Sequence, residues 1–352
     1  MTSAGYKRTT LKDVAREAGV ATGTVSMVLN DSPLVAEATR IHVQDVIRKL
    51  DYVYHRAAGY LRNNRTKTVG VSICNLTNPF YVDILAGIEQ SLDSSGLIPF
   101  LMNCNESVPK QKRFFETLRE YNVQGLMLIP AIGTSRVQLE EVQKRGMYVV
   151  QVTRYIPGVE SDYVGSDNTA ASKMSVDYLA GLGHKLIAYI GHSSKTSTGR
   201  DLLKGYRQGL RAIGIVPKDD WIVECEVTRE AGFKVVQQLF TQNVYPTALV
   251  CFNDTIAFGA MLGLAKLGLR PGVDCSVVGI QNVPESALTM PALTTVAVDC
   301  GLLGREASRL VRDRLESPLA PAQRILLKPK LIVRGSCGVP PTQTRTISRR
   351  RG

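Results

Sequence analysis

From Thr68 onward the chain alternates short apolar runs with longer amphipathic stretches, and that alternation leaves few folds open. Strand-like runs are "TVGVSI" (68–73), "LIPFLM" (97–102), "GLMLI" (125–129), "MYVVQV" (147–152), "LIAYI" (186–190), "TALVCF" (247–252) and "SVVGI" (276–280). Helical patterns fall between them at about 80–94, 110–121, 136–145, 168–181, 200–213, 229–241 and 254–267. Nearly all-apolar strands joined by amphipathic helices predict parallel sheets covered on both faces, an α/β architecture. Seven such units are too many for one mononucleotide-type half and fit two in succession. The stretch "VGSDNTAAS" (164–172) divides them, because Ser166 and Asp167 can cap a new helix there. Ligands of such sheets sit beyond the carboxyl ends of the strands, so two facing sheets predict a cleft.

The opening segment follows a different period. Thr10 with Asp13 three residues on forms a capping box, which starts a helix at Leu11 with Val14, Ala15 and Ala18 facing inward. Gly19 supplies a turn. A second helix over about 22–29 then buries Val25, Val28 and Leu29 and leaves Thr22, Gly23, Thr24, Ser26 and Met27 outside. Two short helices around a glycine turn are compatible with an ordinary helical hairpin or with a helix-turn-helix, whose second helix enters the major groove. A third helix in "EATRIHVQDVIRKLDY" (37–52) covers the pair with Ile41, Val46, Ile47 and Leu50. Charge bears on the choice. The chain has a net charge of +12, and residues 1–67 carry eleven basic against six acidic side chains, whereas the tail 339–352 carries four Arg and no acid. Basic ends on a near-neutral body suit a polyanion, since Lys and Arg that neutralise phosphates release counterions; a solvated basic surface is the alternative reading.

Other classes are disfavoured. Seven scattered cysteines without a C-x-x-C pair read as small core residues of a reduced, cytoplasmic protein, and four His never approach metal-ligand spacing, so neither metal nor cofactor is expected. No apolar run nears the roughly 20 residues of a membrane span, and the N-terminus lacks a signal-like apolar region, so the chain is expected to be neither exported nor embedded in a membrane. An α/β enzyme would need a phosphate loop or a triad signature. "GLGH" (181–184) precedes a strand and reads as a helix C-cap turn, so an enzyme is not expected.

The blocks "TLKDVAREAGV", "TVSMVLN", "TRIHVQDVIRKLDY", "AAGYLRNNRTKTVGV", "NLTNPFY", "GLGHKLIAYIG", "PTALVCFNDTIAFGA", "PALTTVAVD" and "LIVRGS" occur in one order from Thr9 to about Cys337. In that order they resemble the LacI/GalR family of bacterial transcription regulators. The resemblance implies a three-helix helix-turn-helix headpiece (1–53), a hinge helix or linker (54–67), and a two-lobed periplasmic-binding-protein-like effector and dimerisation domain (68–338) with two doubly wound parallel sheets. It further implies lobe crossovers near 164–168, 296 and 327, and leaves a basic tail at 339–352. The implied partners are palindromic double-stranded operator DNA, a small-molecule effector and a second copy of the chain; the tail has no leucine heptads to carry assembly beyond a dimer. The implied DNA contacts are Thr10, Lys12, Thr22, Gly23, Thr24, Ser26, Met27 and Asn30, with Leu61 as a minor-groove wedge and Arg62 beside it.

This sequence also departs from the family pattern. Ala21 and Ala36 stand where a Ser usually caps a helix, and Met27 offers a base edge only apolar contact. Sugar-binding members commonly place an Arg, an aromatic and an Asp where Leu202, Val227 and Gln281 stand here. With Phe80, Thr153, Arg154, Arg200 and Asn253, these are the expected effector-binding residues, and Asp254 is expected to cap its helix. A cleft so altered is expected to take a small, largely uncharged polyhydroxylated metabolite such as a sugar, in a repressor whose operator affinity the ligand controls. The alternatives are a solute-binding protein, which residues 1–67 argue against, and a ligand-independent DNA-binding regulator.

Overall fold

The computed structural model describes residues 9–29, 32–52, 67–191, 194–241 and 244–342. The chain divides into two compact units, Met1–Arg65 and Thr66–Gly352. Asn30, Leu61 and Arg62 lie outside the described residues, as do 53–66 of the hinge segment and 343–352 of the tail.

The N-terminal unit contains α1 (Leu11–Glu17), α2 (Thr22–Leu29) and α3 (Glu37–Lys49). The capping box forms: Thr10 Oγ1 accepts the Asp13 N–H at 3.3 Å, and the Asp13 carboxylate accepts the Thr10 N–H at 3.0 Å. Gly19 takes φ +65° to turn the chain toward α2. Val14, Ala15, Ala18, Val25, Val28, Val43 and Val46 close a small core, with Ile47 and Leu50 packed on it. Ile41 is not part of it. It is 50% exposed, because Val43, Val46, Ile47 and Leu50 define one stripe of α3 at helical spacing and Ile41, two residues before Val43, falls on the other side. Ala36 makes no side-chain cap bond and Ala21 has no side-chain oxygen, so α3 and α2 each forgo about 1 kcal/mol of capping.

The second unit runs β1 (Thr68–Ile73), α4 (Pro79–Asp93), β2 (Ile98–Asn103), α5 (Val108–Glu120), β3 (Gly125–Leu128), α6 (Arg136–Lys144), β4 (Tyr148–Val152) and β5 (Asp162–Ser166). It continues with α7 (Asn168–Gly181), β6 (Ile187–Gly191), α8 (Ser197–Ala212), β7 (Ile222–Glu224), α9 (Arg229–Leu239), β8 (Ala248–Cys251), α10 (Asp254–Lys266) and β9 (Ser276–Gln281). It ends with β10 (Thr294–Ala297), α11 (Cys300–Glu316), β11 (Arg324–Leu327) and β12 (Lys330–Ile332). Two six-stranded sheets result, ordered β11-β5-β4-β3-β1-β2 and β12-β10-β9-β8-β6-β7. Their described pairings are parallel except that of β12 with β10.

All seven strand-like runs form strands, and β5, β7, β10, β11 and β12 are added to them. The chain crosses between the sheets three times, from β5 to α7, from β10 to α11 and from β11 to β12. The one return to the first lobe is anchored at both α11 and β11. Helix α11 lies so close to α4 that a Cβ on Gly304 would sit 2.3 Å from the Ile84 carbonyl oxygen. Buried Asp162 on β5 accepts both Nε and Nη2 of Arg314 on α11 at 2.9 Å, and the Gln323 N–H ahead of β11 at 2.8 Å. On the second lobe, Asp167 accepts the Ala170 N–H at 2.9 Å and starts α7, which ends in the expected turn at Gly183, φ +96°.

Candidate functional site

The carboxyl ends of the parallel strands from both sheets surround one cavity of ≈ 240 Å³. From the first lobe come Asn75 and Asn78 after β1, Phe80 and Tyr81 at the start of α4, Glu106 after β2, Ile132 after β3, Thr153 and Arg154 after β4, and Ser166 at the end of β5. From the second come Thr198 and Leu202 on α8, Glu226 and Val227 after β7, Phe252 and Asn253 after β8, and Ile280 and Gln281 at the end of β9. The structure thus brings Phe80, Thr153, Arg154, Leu202, Val227, Asn253 and Gln281 together. Arg200 does not join them: its Nη1 donates to the Ser194 carbonyl at 3.0 Å, and Arg200 lines an adjoining pocket that shares only Ile132 and Arg154 with the cavity.

The walls are rich in strained backbone. Glu106 (φ +55°), Thr153 (φ +59°) and Gln281 (φ +118°) line the cavity, and Asn105 and Asn282 beside them also have positive φ. Non-glycine residues in this region cost about 1–3 kcal/mol each and persist where their surroundings hold them. Four polar atoms in the walls are buried without a hydrogen-bond partner: Thr153 Oγ1, Ser166 Oγ, Asn253 Nδ2 and Gln281 Oε1. Asn253 shows how this arises. Its Oδ1 accepts the Ile256 N–H at 3.0 Å and caps α10, which leaves the amide donor buried in the cavity wall without a partner.

Asn253 therefore takes the capping role expected of Asp254. Asp254, fully buried one residue on, ties α10 to the second lobe: its carboxylate accepts Thr295 Oγ1–H at 2.6 Å, Ser286 Oγ–H at 2.8 Å and the Val283 N–H at 2.9 Å. Burial nevertheless pushes its pKa up to about 6, those hydrogen bonds opposing the rise. Opposite, Arg154 is 8% exposed and its Nη1 donates to Glu106 Oε1 at 2.8 Å, Oε2 at 3.1 Å and the Pro130 carbonyl at 3.2 Å. Its Nη2 lies 3.4 Å from the Tyr81 hydroxyl. Burial holds the Cys74 thiol up at about 12 and raises Tyr81 as well, so both are neutral and Glu106 is the anion that balances Arg154. The lobes meet beside the cavity, where Tyr155 N–H donates to Ser197 Oγ at 2.8 Å and Thr198 Oγ1 to the Thr153 carbonyl at 3.1 Å.

In the N-terminal unit, Thr22, Gly23 and Met27 are exposed on α2, Thr24 and Ser26 are half-buried, and Lys12 is exposed on α1. The Thr10 hydroxyl is engaged in its cap, donating to Asp13 Oδ2 at 2.6 Å.

A family model described as "Bacterial regulatory proteins, lacI family" matches residues 10–54, and one described as "Periplasmic binding protein-like domain" matches 176–337. The HTH-type transcriptional repressors PurR of Proteus mirabilis and of Yersinia enterocolitica are each 32% identical over 337 residues, 93% of this chain and 96% of theirs. The chain belongs to the lacI family of bacterial regulatory proteins. Among solved structures of the family, the Lac repressor dimer bound to operator and the anti-inducer ONPF is similar at TM-score 0.84 and 26% identity, covering 94% of this chain and 99% of that one. The transcriptional regulator CelR in complex with cellobiose is similar at TM-score 0.72 and 28% identity, covering 94% and 100%. This lacI-family member is accordingly a DNA-binding transcriptional regulator, and its relatives are repressors, not enzymes. Among the described residues no helix is long and apolar enough to cross a membrane, and no cluster of His, Cys, Asp and Glu is placed to hold a metal.

Residues missed at the level of sequence include Glu106, Ser166, Thr198 and Tyr81. Thr198 was within reach, since it lies one helical turn before Leu202 and shares its face.

The Asp254 environment generates a pH prediction. Its pKa in the folded state exceeds that of an ordinary carboxylate, so the native protein binds the extra proton and stability falls as pH rises from about 4 through 6. Denaturant unfolding across that window is expected to show this loss, and Asp254→Asn is expected to flatten it; an unchanged slope would place the titration on another group.

Proposed function

We propose that this protein is a cytoplasmic repressor that binds a palindromic operator as a homodimer and whose operator affinity is set by a small, uncharged, polyhydroxylated metabolite in the interlobe cavity. One observation carries the ligand class: four residues of the cavity lining hold buried polar atoms without a partner, while its single lining cation, Arg154, is already balanced by Glu106. Hydroxyl groups both donate and accept, and so pair with Asn253 Nδ2–H, Gln281 Oε1 and the two hydroxyls without bringing a charge. A carboxylate or phosphate would instead be desolvated beside Glu106 with no free cation to meet it, at a cost of several kcal/mol. Leu202 and Gln281 remove charge from the wall at positions where sugar-binding members commonly carry Arg and Asp, and the related CelR binds cellobiose, an uncharged ligand.

Calorimetry against neutral sugars, sugar acids and sugar phosphates is expected to find binding only among the neutral compounds. Asn253→Ser, which keeps an oxygen to cap α10 but removes the amide donor, is expected to weaken that binding roughly tenfold. Tight binding of an acid or phosphate that disappears in Arg154→Ala would overturn the assignment.

For the DNA side, the exposed face of α2, with Thr22, Gly23, Thr24, Ser26 and Met27, is the surface proposed to enter the major groove, with Lys12 and Thr10 alongside. Met27 presents a thioether, suited to apolar contact such as a thymine methyl. Selection of bound sequences from a randomised DNA pool is expected to show Met27→Ala relaxing preference at one position of each half-site while leaving weak nonspecific binding intact. A uniform loss on all DNA would make Met27 a backbone-positioning residue instead.

A further inference from the structure

We infer that Glu106 is the specificity determinant that closes the cavity to anionic ligands, and that Arg154 is a masked carboxylate-binding site behind it. This inference rests on the neutral-ligand reading of the same cavity and names the residue responsible for it.

Both side chains line the cavity, and the Arg154 Nη1 amino group is shared by the two Glu106 carboxylate oxygens. Glu106 thereby occupies the place that a ligand carboxylate would take on a guanidinium. The geometry around it is built to hold it there. Asn105 and Glu106 both have positive φ, at +51° and +55°, a conformation that folds the chain end of β2 back over the cavity. That turn is fastened by the Glu106 N–H to the Cys74 carbonyl at 3.1 Å and by the Ile132 N–H to Glu106 Oε2 at 2.9 Å.

Arg154 is fastened independently of Glu106. The Pro130 carbonyl and the Tyr81 hydroxyl lie on its guanidinium, so it stays at the cavity wall when the carboxylate is removed. Glu226 is the one other charged residue in the lining, and it is an exposed acid. Without Glu106 the walls therefore change from net negative to neutral, with a buried guanidinium open to any anion of the right size.

Replacing Glu106 tests this with sodium formate, the smallest carboxylate, as the probe. The melting temperature of Glu106→Ala is expected to rise with formate relative to chloride at matched ionic strength, by mass action on the exposed guanidinium. The wild type and Glu106→Ala/Arg154→Ala are expected to show no such rise. Glu106→Ser also removes the carboxylate and vacates the guanidinium while keeping a small polar group, and serves if the alanine variant does not fold. In calorimetry, Glu106→Ala is expected to gain about tenfold or more in affinity for D-glucuronate over the wild type, the order expected of one charge-assisted contact. Folded Glu106 variants that gain neither formate stabilisation nor glucuronate affinity would overturn the role of Glu106 and leave the neutral-ligand reading standing. Wild-type protein that binds D-glucuronate tightly through Arg154 would overturn both.

Discussion

The structure depends on one topological constraint: a single chain crosses three times between two largely parallel sheets, the first two times within a few residues of the cavity. Parallel strands need helices on both faces, so only their carboxyl ends are free to carry loops that face another sheet. Three crossings then set the two groups of loops opposite each other, and the loops must turn sharply to clear one another. The positive φ angles at Glu106, Thr153 and Gln281 sit at those turns. Backbone held in this way directs side chains toward the space between the lobes at the expense of their usual partners, which is why Thr153, Ser166, Asn253 and Gln281 contribute buried polar atoms without a bond.

Electrostatics at the cavity follow from burial. Arg154 cannot be buried alone, and its pairing with Glu106 is worth keeping because removal of either partner strands a charge at a cost of about 3–5 kcal/mol. Asp254 solves the same problem differently, with hydroxyl and amide donors and no cation, and its elevated pKa shows that these only partly offset its desolvation. The result is a pocket whose lining carries polarity without a free positive charge. A ligand there shifts DNA binding only to the extent that it prefers one arrangement of the protein over another. The contacts of Thr153 and Tyr155 with Thr198 and Ser197 span the two lobes beside that ligand space, so they are the bonds most directly exposed to its presence.

Much of this architecture was legible in the sequence because burial on both faces leaves strands as continuous apolar runs. All seven such runs became strands, and the Thr10–Asp13 cap started its helix. What escaped was short or masked by polar residues: Ile222–Glu224 and Lys330–Ile332 are three residues long, and Asp162–Ser166 carries an acid and a glycine that resemble turn chemistry. The cavity was legible in part. Strand-end positions pointed to Thr153 and Arg154 and the family resemblance to Asn253 and Gln281, but proximity in sequence failed on α8, where Arg200 lies two residues from Leu202 and hence about 200° around the helix. Asn253 rather than Asp254 caps the helix because it begins at Asp254 itself, one residue earlier than an Asp254 cap would require. Glu106 was invisible, since its encounter with Arg154 depends on two left-handed residues and on the ends of β2 and β4, forty-eight positions apart and not adjacent in the sheet.

The central claim is that the DNA-binding and ligand-binding functions of this chain are coupled. The most direct measurement is fluorescence anisotropy of the full chain on an operator selected by the protein itself, with and without a saturating neutral ligand found by calorimetry. The account predicts that the ligand changes the operator Kd by about 5–150-fold, the usual span of such couplings, and that operator reciprocally changes ligand affinity by the same factor. An operator Kd that stays the same while calorimetry shows the cavity filled would contradict it.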